Sequence, residues 1–290
     1  MRIARFAKDD GVAYGVVEGD SGQPQTISEL HGHPFGIDPA GVRLTGQPQT
    51  IAELYGHPFG VDPAGVRFTG NRYPLAEVRL LAPVLPSKVV AIGKNYAEHV
   101  KEMNTGDAPK EPLLFLKPST SLIGAHDTIE LPPQSSRVDH EAELAVVIGG
   151  AAGVRRLDRA GAAKAIFGYT VANDVTARDL QASDGQWTRA KGFDTFCPLG
   201  PWIETDLDVS DLEVRCEVND EVRQLGSTKD MVFDSVALVS YISHMMTLLP
   251  GDVILTGTPA GVSPLISGDV VTVRIGGIGE LINPVAARED

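Results

Sequence analysis

The stretch DHEAELAVVIGG, residues 139–150, carries the strongest structural signal in the chain. The mainly apolar residues 142–148 predict a buried strand, and the two glycines at 149–150 mark its end. Residues two apart in a strand point to the same face, so Glu141 and Glu143 project together. Two neighbouring carboxylates both stay ionised only beside a cation or basic groups. The pair therefore indicates a metal site, with a solvent-facing pair of acids as the alternative.

A second segment adds a third carboxylate. AIFGYTVAND, residues 165–174, is typical of a buried strand that ends in Asp174, and the VTARDLQ after it can start a helix. Such a helix would place Asp174, Arg178 and Gln181 on one face. Three carboxylates at the mouths of two strands form a hard-oxygen site suited to Mg²⁺ or Mn²⁺ rather than zinc. A helix-capping ion pair between Asp174 and Arg178 is the alternative.

Three further side chains have the chemistry of acid–base and anion-stabilising groups. In KNYAEHVKEM, residues 94–103, His99 and Glu102 lie three apart on a predicted short helix. A carboxylate orients an imidazole, so His99 is a candidate general base, with an exposed charged helix face as the alternative. Lys117 and Lys191 lie beside apolar and aromatic residues. Each could stabilise an oxyanion, or could be an ordinary surface lysine.

The composition is that of a globular protein. The 290 residues are 42% hydrophobic and 22% charged, with 31 Gly and 20 Pro, which argues against collagenous, coiled-coil and disordered chains. A net charge of −13 repels phosphate backbones and anionic lipids, so nucleic acid and membranes are not expected partners. An anionic small substrate would need a locally positive pocket or a bound cation.

The compartment expected from the sequence is the cytoplasm. Cys197 and Cys216 are the two cysteines, too few for a disulfide framework and without zinc-site spacing. No signal peptide is evident after Met1, because charged residues arrive before an apolar region can form. No apolar run approaches the roughly 20 residues that span a bilayer.

Strands outnumber helices in the pattern, without regular alternation, and this predicts a strand-rich α+β fold. One clear helix is SVALVSYISHMMTLL, with Asp234 or Ser235 as N-cap and Pro250-Gly251 as the stop. Prolines near Ala82 mark a boundary between a small N-terminal domain, 1–82, and a catalytic domain, 83–290. The small domain contains a tandem duplication, 23–46 and 47–70, identical at 20 of 24 positions.

Six motifs, taken in order, closely resemble the fumarylacetoacetate hydrolase family, especially its shorter acylpyruvase-type members. The resemblance spans about residues 84–284, and the opening residues are similar to the small N-terminal domain of bacterial members. It implies a mixed β-roll fold and a homodimer. The duplication departs from the family pattern. The motifs are KVVAIGKNYAEHVKEM, EPLLFLKPST, DHEAELAVVIG, YTVANDVTARDLQ, WTRAKGFDTFCPLGPWI and GDVILTGTPAGV.

The resemblance also assigns roles at matching positions. The implied metal ligands are Glu141, Glu143 and Asp174. The implied water-activating dyad is His99 and Glu102, and the implied enolate-stabilising lysine is Lys191. The expected substrate-binding positions are Arg178, Gln181, Lys117 and Thr258.

The activity expected from these residues is hydrolysis of a C–C bond in acylpyruvates such as fumarylpyruvate or acetylpyruvate. The substrate, a small 2-oxo acid, would chelate Mg²⁺ or Mn²⁺, and cleavage would pass through a metal-stabilised pyruvate enolate. The same enolate chemistry could decarboxylate oxaloacetate or isomerise 2-hydroxyhepta-2,4-diene-1,7-dioate. A metal-binding scaffold without catalysis is a further alternative.

Overall fold

A computed structural model describes residues 1–9, 11–19, 26–31, 67–103, 106, 109–150 and 152–288. Most of the duplication, 23–46 and 47–70, therefore lies outside the described residues, apart from 26–31 and 67–70. Within the described residues strands predominate over helices, as the sequence predicted.

Nineteen strands and five α-helices are described. The strands are β1 (Arg2–Lys8), β2 (Gly11–Glu18), β3 (Thr26–His31), β4 (Arg67–Pro74), β5 (Arg79–Leu81), β6 (Val89–Gly93), β7 (Leu113–Lys117), β8 (Leu122–Ile123), β9 (Ile129–Leu131), β10 (Val138–Asp139), β11 (Ala142–Ile148), β12 (Ile166–Asn173), β13 (Thr176–Ala177), β14 (Cys197–Glu204), β15 (Glu213–Val218), β16 (Glu221–Ser227), β17 (Val253–Leu255), β18 (Val270–Ile275) and β19 (Gly279–Ala287). The helices are α1 (Ala97–Glu102), α2 (Arg159–Ala165), α3 (Arg178–Asp184), α4 (Thr188–Lys191) and α5 (Ser235–Met245).

The described strands form three sheets. A 12-stranded sheet runs in the order β4-β3-β2-β1-β14-β12-β11-β17-β6-β7, with β5 and β8 added to β1 and β14. A five-stranded sheet has the order β16-β15-β18-β19-β9, and β10 pairs with β13. The pairs β6–β17, β8–β14 and β9–β19 are parallel and the other pairs antiparallel, so the sheets are mixed.

Strand β11 lies at the centre of the large sheet, and all seven of its residues are buried. Val146 and Ile148 pack against helices α2 and α5, whereas Ala145 and Val147 pack on the opposite face. Burial on both faces explains why residues 144–148 of the strand form an unbroken apolar run instead of an alternating one. Its partner β12 runs antiparallel, with Ala142 opposite Asn173. The start of β11 and the end of β12 therefore meet at one edge.

The N-terminal strands continue the large sheet. Arg2 and Ile3 of β1 pair with Glu204 and Ile203 of β14, and the terminal amino group of Met1 lies 2.5 Å from a carboxylate oxygen of Glu204. Strands β1 and β2, which precede the predicted boundary near Ala82, thus belong to the sheet that carries β11 and β12.

Helix α5 begins where the sequence predicted and ends earlier. The Asp234 carboxylate accepts a 2.8 Å hydrogen bond from the amide of Ala237, so Asp234 is the N-cap. The last helical residue is Met245, before the predicted stop at Pro250. Leu248 instead exchanges backbone hydrogen bonds with Val154, which holds this segment extended.

The helix predicted to follow Asp174 also begins later. Thr176 and Ala177 form β13, paired with β10, and α3 begins only at Arg178. Asp174 therefore does not share a helix face with Arg178, and that prediction was wrong. Separately, no helix among the described residues is both long and apolar enough to cross a membrane.

Candidate metal centre and active site

Three buried carboxylates converge where β11 begins and β12 ends. Glu141, Glu143 and Asp174 each offer an oxygen, and these oxygens lie within 4.8 Å of one another. The residues are at most 5% exposed, so the solvent-facing alternative is excluded. The backbone fixes the arrangement, because the amide of Asp174 donates to the carbonyl of Glu141 at 2.9 Å. The structure thus places the three predicted ligands together.

Two buried lysines approach the cluster. Lys191 Nζ donates to Glu141 Oε2 at 2.8 Å and to Asp174 Oδ2 at 2.6 Å, and it lies 5.0 Å from the centre of the Phe115 ring. Lys117 Nζ donates to Asp174 Oδ1 at 2.7 Å. Burial lowers the pKa of Lys191, but the charges of Asp174 and Glu141 outweigh it, and the net shift is upward. Neither lysine is the ordinary surface residue of the alternative interpretation.

Glu143 is the carboxylate that lacks a cation. Burial, then the charges of Asp174 and Glu141, raise the pKa of Glu143 well above its ordinary value. Burial also raises the pKa of Glu141, but the charges of Lys191 and Arg178 outweigh it and lower the net value. Among the described residues no basic side chain forms an ion pair with Glu143, whose Oε2 accepts only the amide of Gly257 at 2.6 Å.

This donor set fits a divalent cation. The cluster is made only of carboxylates, and one of them has no counterion among the described residues. A bound Mg²⁺ or Mn²⁺ would supply the missing positive charge and accept hard oxygen ligands. The all-oxygen donors are unlike the thiolate and imidazole sets of zinc sites. The buried cluster could therefore hold one such ion.

Arg178 pairs with a residue that the sequence analysis missed. Its Nε donates to Asp139 Oδ2 at 2.9 Å and its Nη1 donates to Gln181 Oε1 at 2.9 Å. Its Nη2 lies 2.7 Å from Glu141 Oε1, yet this buried nitrogen has no aligned hydrogen-bond acceptor. The Asp174–Arg178 ion pair of the alternative interpretation is not formed, since Asp174 pairs with Lys117 and Lys191. The sequence signal for Asp139 was its position in DHEAEL, two residues before Glu141, which was already predicted to be a metal ligand.

The candidate acid–base pair forms within α1. His99 Nδ1 lies 3.1 Å from Glu102 Oε2, and Glu102 Oε1 accepts the amide of Gly261 at 2.9 Å. Gly261 has φ +102, and a Cβ there would lie 2.1 Å from the carbonyl oxygen of Arg223. Only glycine fits that turn without displacement. The loop therefore fixes Glu102, and Glu102 fixes the imidazole.

These side chains line one cavity of about 570 Å³. Phe115 and Trp187, whose ring centres are 5.3 Å apart, form an aromatic part of its wall. Asp174 and Lys117 are not part of the lining and lie behind it. The predicted site residues that line the cavity are His99, Glu102, Glu141, Glu143, Arg178, Gln181, Lys191 and Thr258.

A second residue missed by sequence reasoning supports strand β11. Gln224, fully buried on β16, donates from Nε2 to Thr258 Oγ1 and to the Pro259 carbonyl, both at 2.8 Å. Its Oε1 accepts the amide of Ala142 at 2.9 Å and lies 2.9 Å from His140 Nδ1. Gln224 belongs to no recognised motif, so the sequence offered no signal for it.

Fold and site together define a strand-rich class of protein with a buried carboxylate cluster beside a cavity, and the comparisons identify its family. The family model described as fumarylacetoacetate (FAA) hydrolase C-terminal matches residues 88–286. The chain therefore belongs to the fumarylacetoacetate hydrolase family, whose members are enzymes with isomerase, tautomerase or hydrolase activity. A second model, described as Rv2993c-like, N-terminal, matches residues 1–49 and 47–83. The two matches overlap at residues 47–49, where the second copy of the duplicated segment begins.

Similar proteins carry several activities in their names. A solved 5-carboxymethyl-2-hydroxymuconate delta-isomerase from Mycobacterium smegmatis is 49% identical, with a TM-score of 0.83 over 99% of this chain and 100% of its own. The human mitochondrial oxaloacetate tautomerase FAHD2A is 46% identical over 73% of this chain and 71% of its own length. A maleylpyruvate hydrolase from Sphingobium is 31% identical, with a TM-score of 0.71 over 99% of this chain and 100% of its own.

Proposed function

We propose that this chain is a Mg²⁺- or Mn²⁺-dependent enzyme that moves a proton at C3 of a 2-oxo acid, as a tautomerase or isomerase does. One observation carries the proposal: His99 and Glu102 line the same cavity as Glu141 and Glu143. A group able to accept a proton thus faces a site able to hold a cation and an oxo acid. The names of the isomerase and tautomerase relatives support the same reaction.

The carboxylates of Glu141, Glu143 and Asp174 would hold the ion. When bound, the ion supplies a Lewis acid that draws electrons from the 2-oxo group and so acidifies C3. Lys117 and Lys191 hold Asp174 from both of its oxygens, which fixes the direction of that carboxylate. The cluster is therefore ordered by the chain itself.

His99 is the group that moves the proton. Its Nδ1 is 3.1 Å from Glu102 Oε2, so the carboxylate holds the proton on Nδ1 and leaves Nε2 to accept one from C3. The same nitrogen returns the proton at the carbon or oxygen where the product needs it. Gly261 holds the second oxygen of Glu102, so the imidazole keeps one orientation.

Two buried cations bind the anionic substrate. Arg178 lines the cavity, with its Nη2 2.7 Å from Glu141 Oε1, and its planar guanidinium matches the geometry of a carboxylate, so a substrate carboxylate is a suitable partner. Lys191 Nζ donates two of its three N–H groups to Glu141 and Asp174. The third is available to the oxygen that becomes negative when C3 loses its proton.

Acylpyruvate hydrolysis is the second candidate. The same dyad can activate water, and the maleylpyruvate hydrolase relative carries this chemistry in its name. Decarboxylation of oxaloacetate would use the same enolate-forming groups. These reactions share the residues described above, so the products decide between them.

The test compares products from one panel of substrates. Chelator-treated protein is assayed with and without Mn²⁺ or Mg²⁺ on oxaloacetate, acetylpyruvate and fumarylpyruvate. Metal-restored loss of the ultraviolet absorbance of enol-oxaloacetate, without pyruvate release, is the expected result. Pyruvate from the acylpyruvates would favour hydrolysis, and pyruvate from oxaloacetate alone would favour decarboxylation.

A variant tests the base separately. His99→Ala should retain Mn²⁺ binding and lose about 10²–10⁴-fold in turnover, the usual contribution of a general base. The control is His244→Ala on the exposed side of α5, which should behave as wild type. Unimpaired turnover in His99→Ala would contradict the assignment.

A further inference from the structure

The helix that carries His99 and Glu102 is too short to be stable by itself. Helix α1 has six residues, and of these only His99 and Val100 are buried. Its N-cap residue, Tyr96, makes no side-chain hydrogen bond to the helix. Isolated helices shorter than about 12–15 residues are marginal in water. The position of the imidazole in the cavity therefore depends on the contacts that hold α1 at its two ends.

Asn95, which precedes α1, holds the first end. It is 1% exposed. Its Nδ2 donates to the carbonyl of Thr256 at 2.7 Å and to the carbonyl of Phe233 at 2.9 Å. Its Oδ1 accepts from the amide of Phe233 at 2.8 Å. Both N–H groups of the side-chain amide are thus in use, and they join Asn95 to segments 138 and 161 residues away along the chain.

Thr256 is in turn fixed to the strand that carries the carboxylate cluster. Its amide and its Oγ1 both donate to the carbonyl of Leu144 on β11, at 3.1 and 2.8 Å. Leu144 follows Glu143 directly in the chain. The residue after Thr256, Gly257, donates its amide to Glu143 at 2.6 Å. The carbonyl that accepts from Asn95 therefore keeps a defined position relative to the cluster.

A glycine permits the close approach of these two segments. Gly257 has φ +97, and a Cβ there would lie 2.7 Å from the Cβ of Asn95 and 3.3 Å from the carbonyl oxygen of Ile92. A side chain at position 257 would therefore displace Asn95 from its acceptor. The contact between Asn95 and Thr256 depends on the absence of that side chain.

The other end of α1 is held by the same loop. We call residues 256–261 the site loop. Its last residue, Gly261, donates its amide to Glu102, the last residue of α1, at 2.9 Å. Its first residue, Thr256, accepts from Asn95. Helix α1 is thus fastened at both ends to one loop, and that loop also supplies an amide to the carboxylate cluster.

We infer that Asn95 is a positioning residue, which sets the distance between the His99 imidazole and the carboxylate cluster. This inference rests on the proposed function, because the imidazole must reach a carbon atom of a ligand held at the cluster. A misplacement of about 1 Å can cost about 10²-fold in rate. The contact between His99 and Glu102 lies within α1. Loss of Asn95 should therefore lower the rate and leave the protonation of the pair unchanged.

The first test asks whether Asn95 anchors α1, and it needs neither metal nor substrate. The backbone amides of Val100 and Met103 close the turns of α1, at 3.1 and 3.0 Å from their carbonyl acceptors. Their hydrogen exchange is followed by nuclear magnetic resonance with a chelator present. In Asn95→Ala both amides should exchange at least tenfold faster than in wild type, because local opening of α1 becomes easier.

Asn283→Ala is the matched control. Asn283 is also 1% exposed, and its Nδ2 also donates to two carbonyls, those of Gly124 and Asp127, at 2.9 and 2.8 Å. It lies on β19 and does not line the cavity. In this variant the α1 amides should exchange within twofold of wild type. Thermal melting compares the general destabilisation of the two variants.

The second test measures turnover with Mn²⁺ and the substrate that wild type converts. Asn95→Ala should lose at least tenfold in kcat, with KM and the Kd for Mn²⁺ each within threefold of wild type. The pH at which kcat is half-maximal should not move. Asn283→Ala should keep kcat within twofold. Asn95→Ser, which also lacks the two N–H groups, replaces Asn95→Ala under the same limits if the alanine variant does not melt cooperatively.

The outcomes separate this inference from the proposed function. Less than tenfold faster exchange of the α1 amides, or less than tenfold loss of kcat, overturns the role of Asn95 in an otherwise active enzyme. An equal loss of kcat in Asn283→Ala overturns it as well, because the effect would then be general destabilisation. Failure of wild type to convert any substrate of the panel overturns the proposed function and the positioning role together, and the exchange result still decides whether Asn95 anchors α1.

Discussion

Gln224→Leu should destabilise the protein through strand β11. Gln224 is fully buried and makes four contacts, with Thr258, Pro259, Ala142 and His140. Leucine fills similar space but can neither donate nor accept. The Ala142 amide, the Pro259 carbonyl and His140 Nδ1 would then be buried without partners.

The expected cost follows from these three groups. Each buried polar group left unpaired costs about 1–3 kcal/mol, so the free energy of unfolding should fall by at least about 3 kcal/mol. A typical total is about 5–15 kcal/mol. The loss should also reach the site, because the Ala142 amide anchors the strand between Glu141 and Glu143.

Urea unfolding followed by circular dichroism measures this loss. Arg223→Gln is the matched control, since Arg223 is the exposed neighbour of Gln224 on β16 and forms an ion pair with Glu221 at the surface. It should stay within about 0.5 kcal/mol of wild type. A loss below about 1 kcal/mol for Gln224→Leu would refute the hydrogen-bond reasoning.

Two other predictions concern buried groups. Lys117→Met removes a buried cation from Asp174. The free energy of unfolding measured with a chelator present should fall by about 3–5 kcal/mol, and the fall should be smaller with Mn²⁺ present. An equal fall under both conditions would argue against an ion beside Asp174. Burial raises the pKa of the Cys197 thiol to about 12, so at pH 8 about one part in ten thousand is thiolate. Cys216 is also buried, and its pKa is also raised. Native protein should therefore not react with a thiol reagent at pH 8, whereas urea-unfolded protein should react at two thiols. Rapid reaction of the native protein would be inconsistent with this packing.

Local sequence patterns predicted the parts of the site that lie within single elements. The two-residue spacing of Glu141 and Glu143 at the start of β11, the Asp234 cap and the His99–Glu102 spacing each depend on a few neighbouring residues. Strand and helix periodicity fixes such relations directly. The six ordered motifs added the family and its strand-rich fold.

Contacts between distant strands were not predictable in this way. Gln224 reaches Ala142 across 82 residues, and Lys117 reaches Asp174 across 57. Such pairs depend on sheet order and register, which periodicity does not specify. The same limit explains the error after Asp174, because the pairing of Thr176 with Asp139 overrides the local helix preference.

The measurement that tests the central claim most directly is Mn²⁺ binding by calorimetry to wild type, Glu143→Gln and Glu102→Gln. Glu102 is the control because it lines the same cavity outside the carboxylate cluster. The account predicts one Mn²⁺ per chain in wild type, at least 100-fold weaker binding in Glu143→Gln, and affinity within threefold of wild type in Glu102→Gln. Equal affinity in all three proteins, or no binding by wild type, would contradict it.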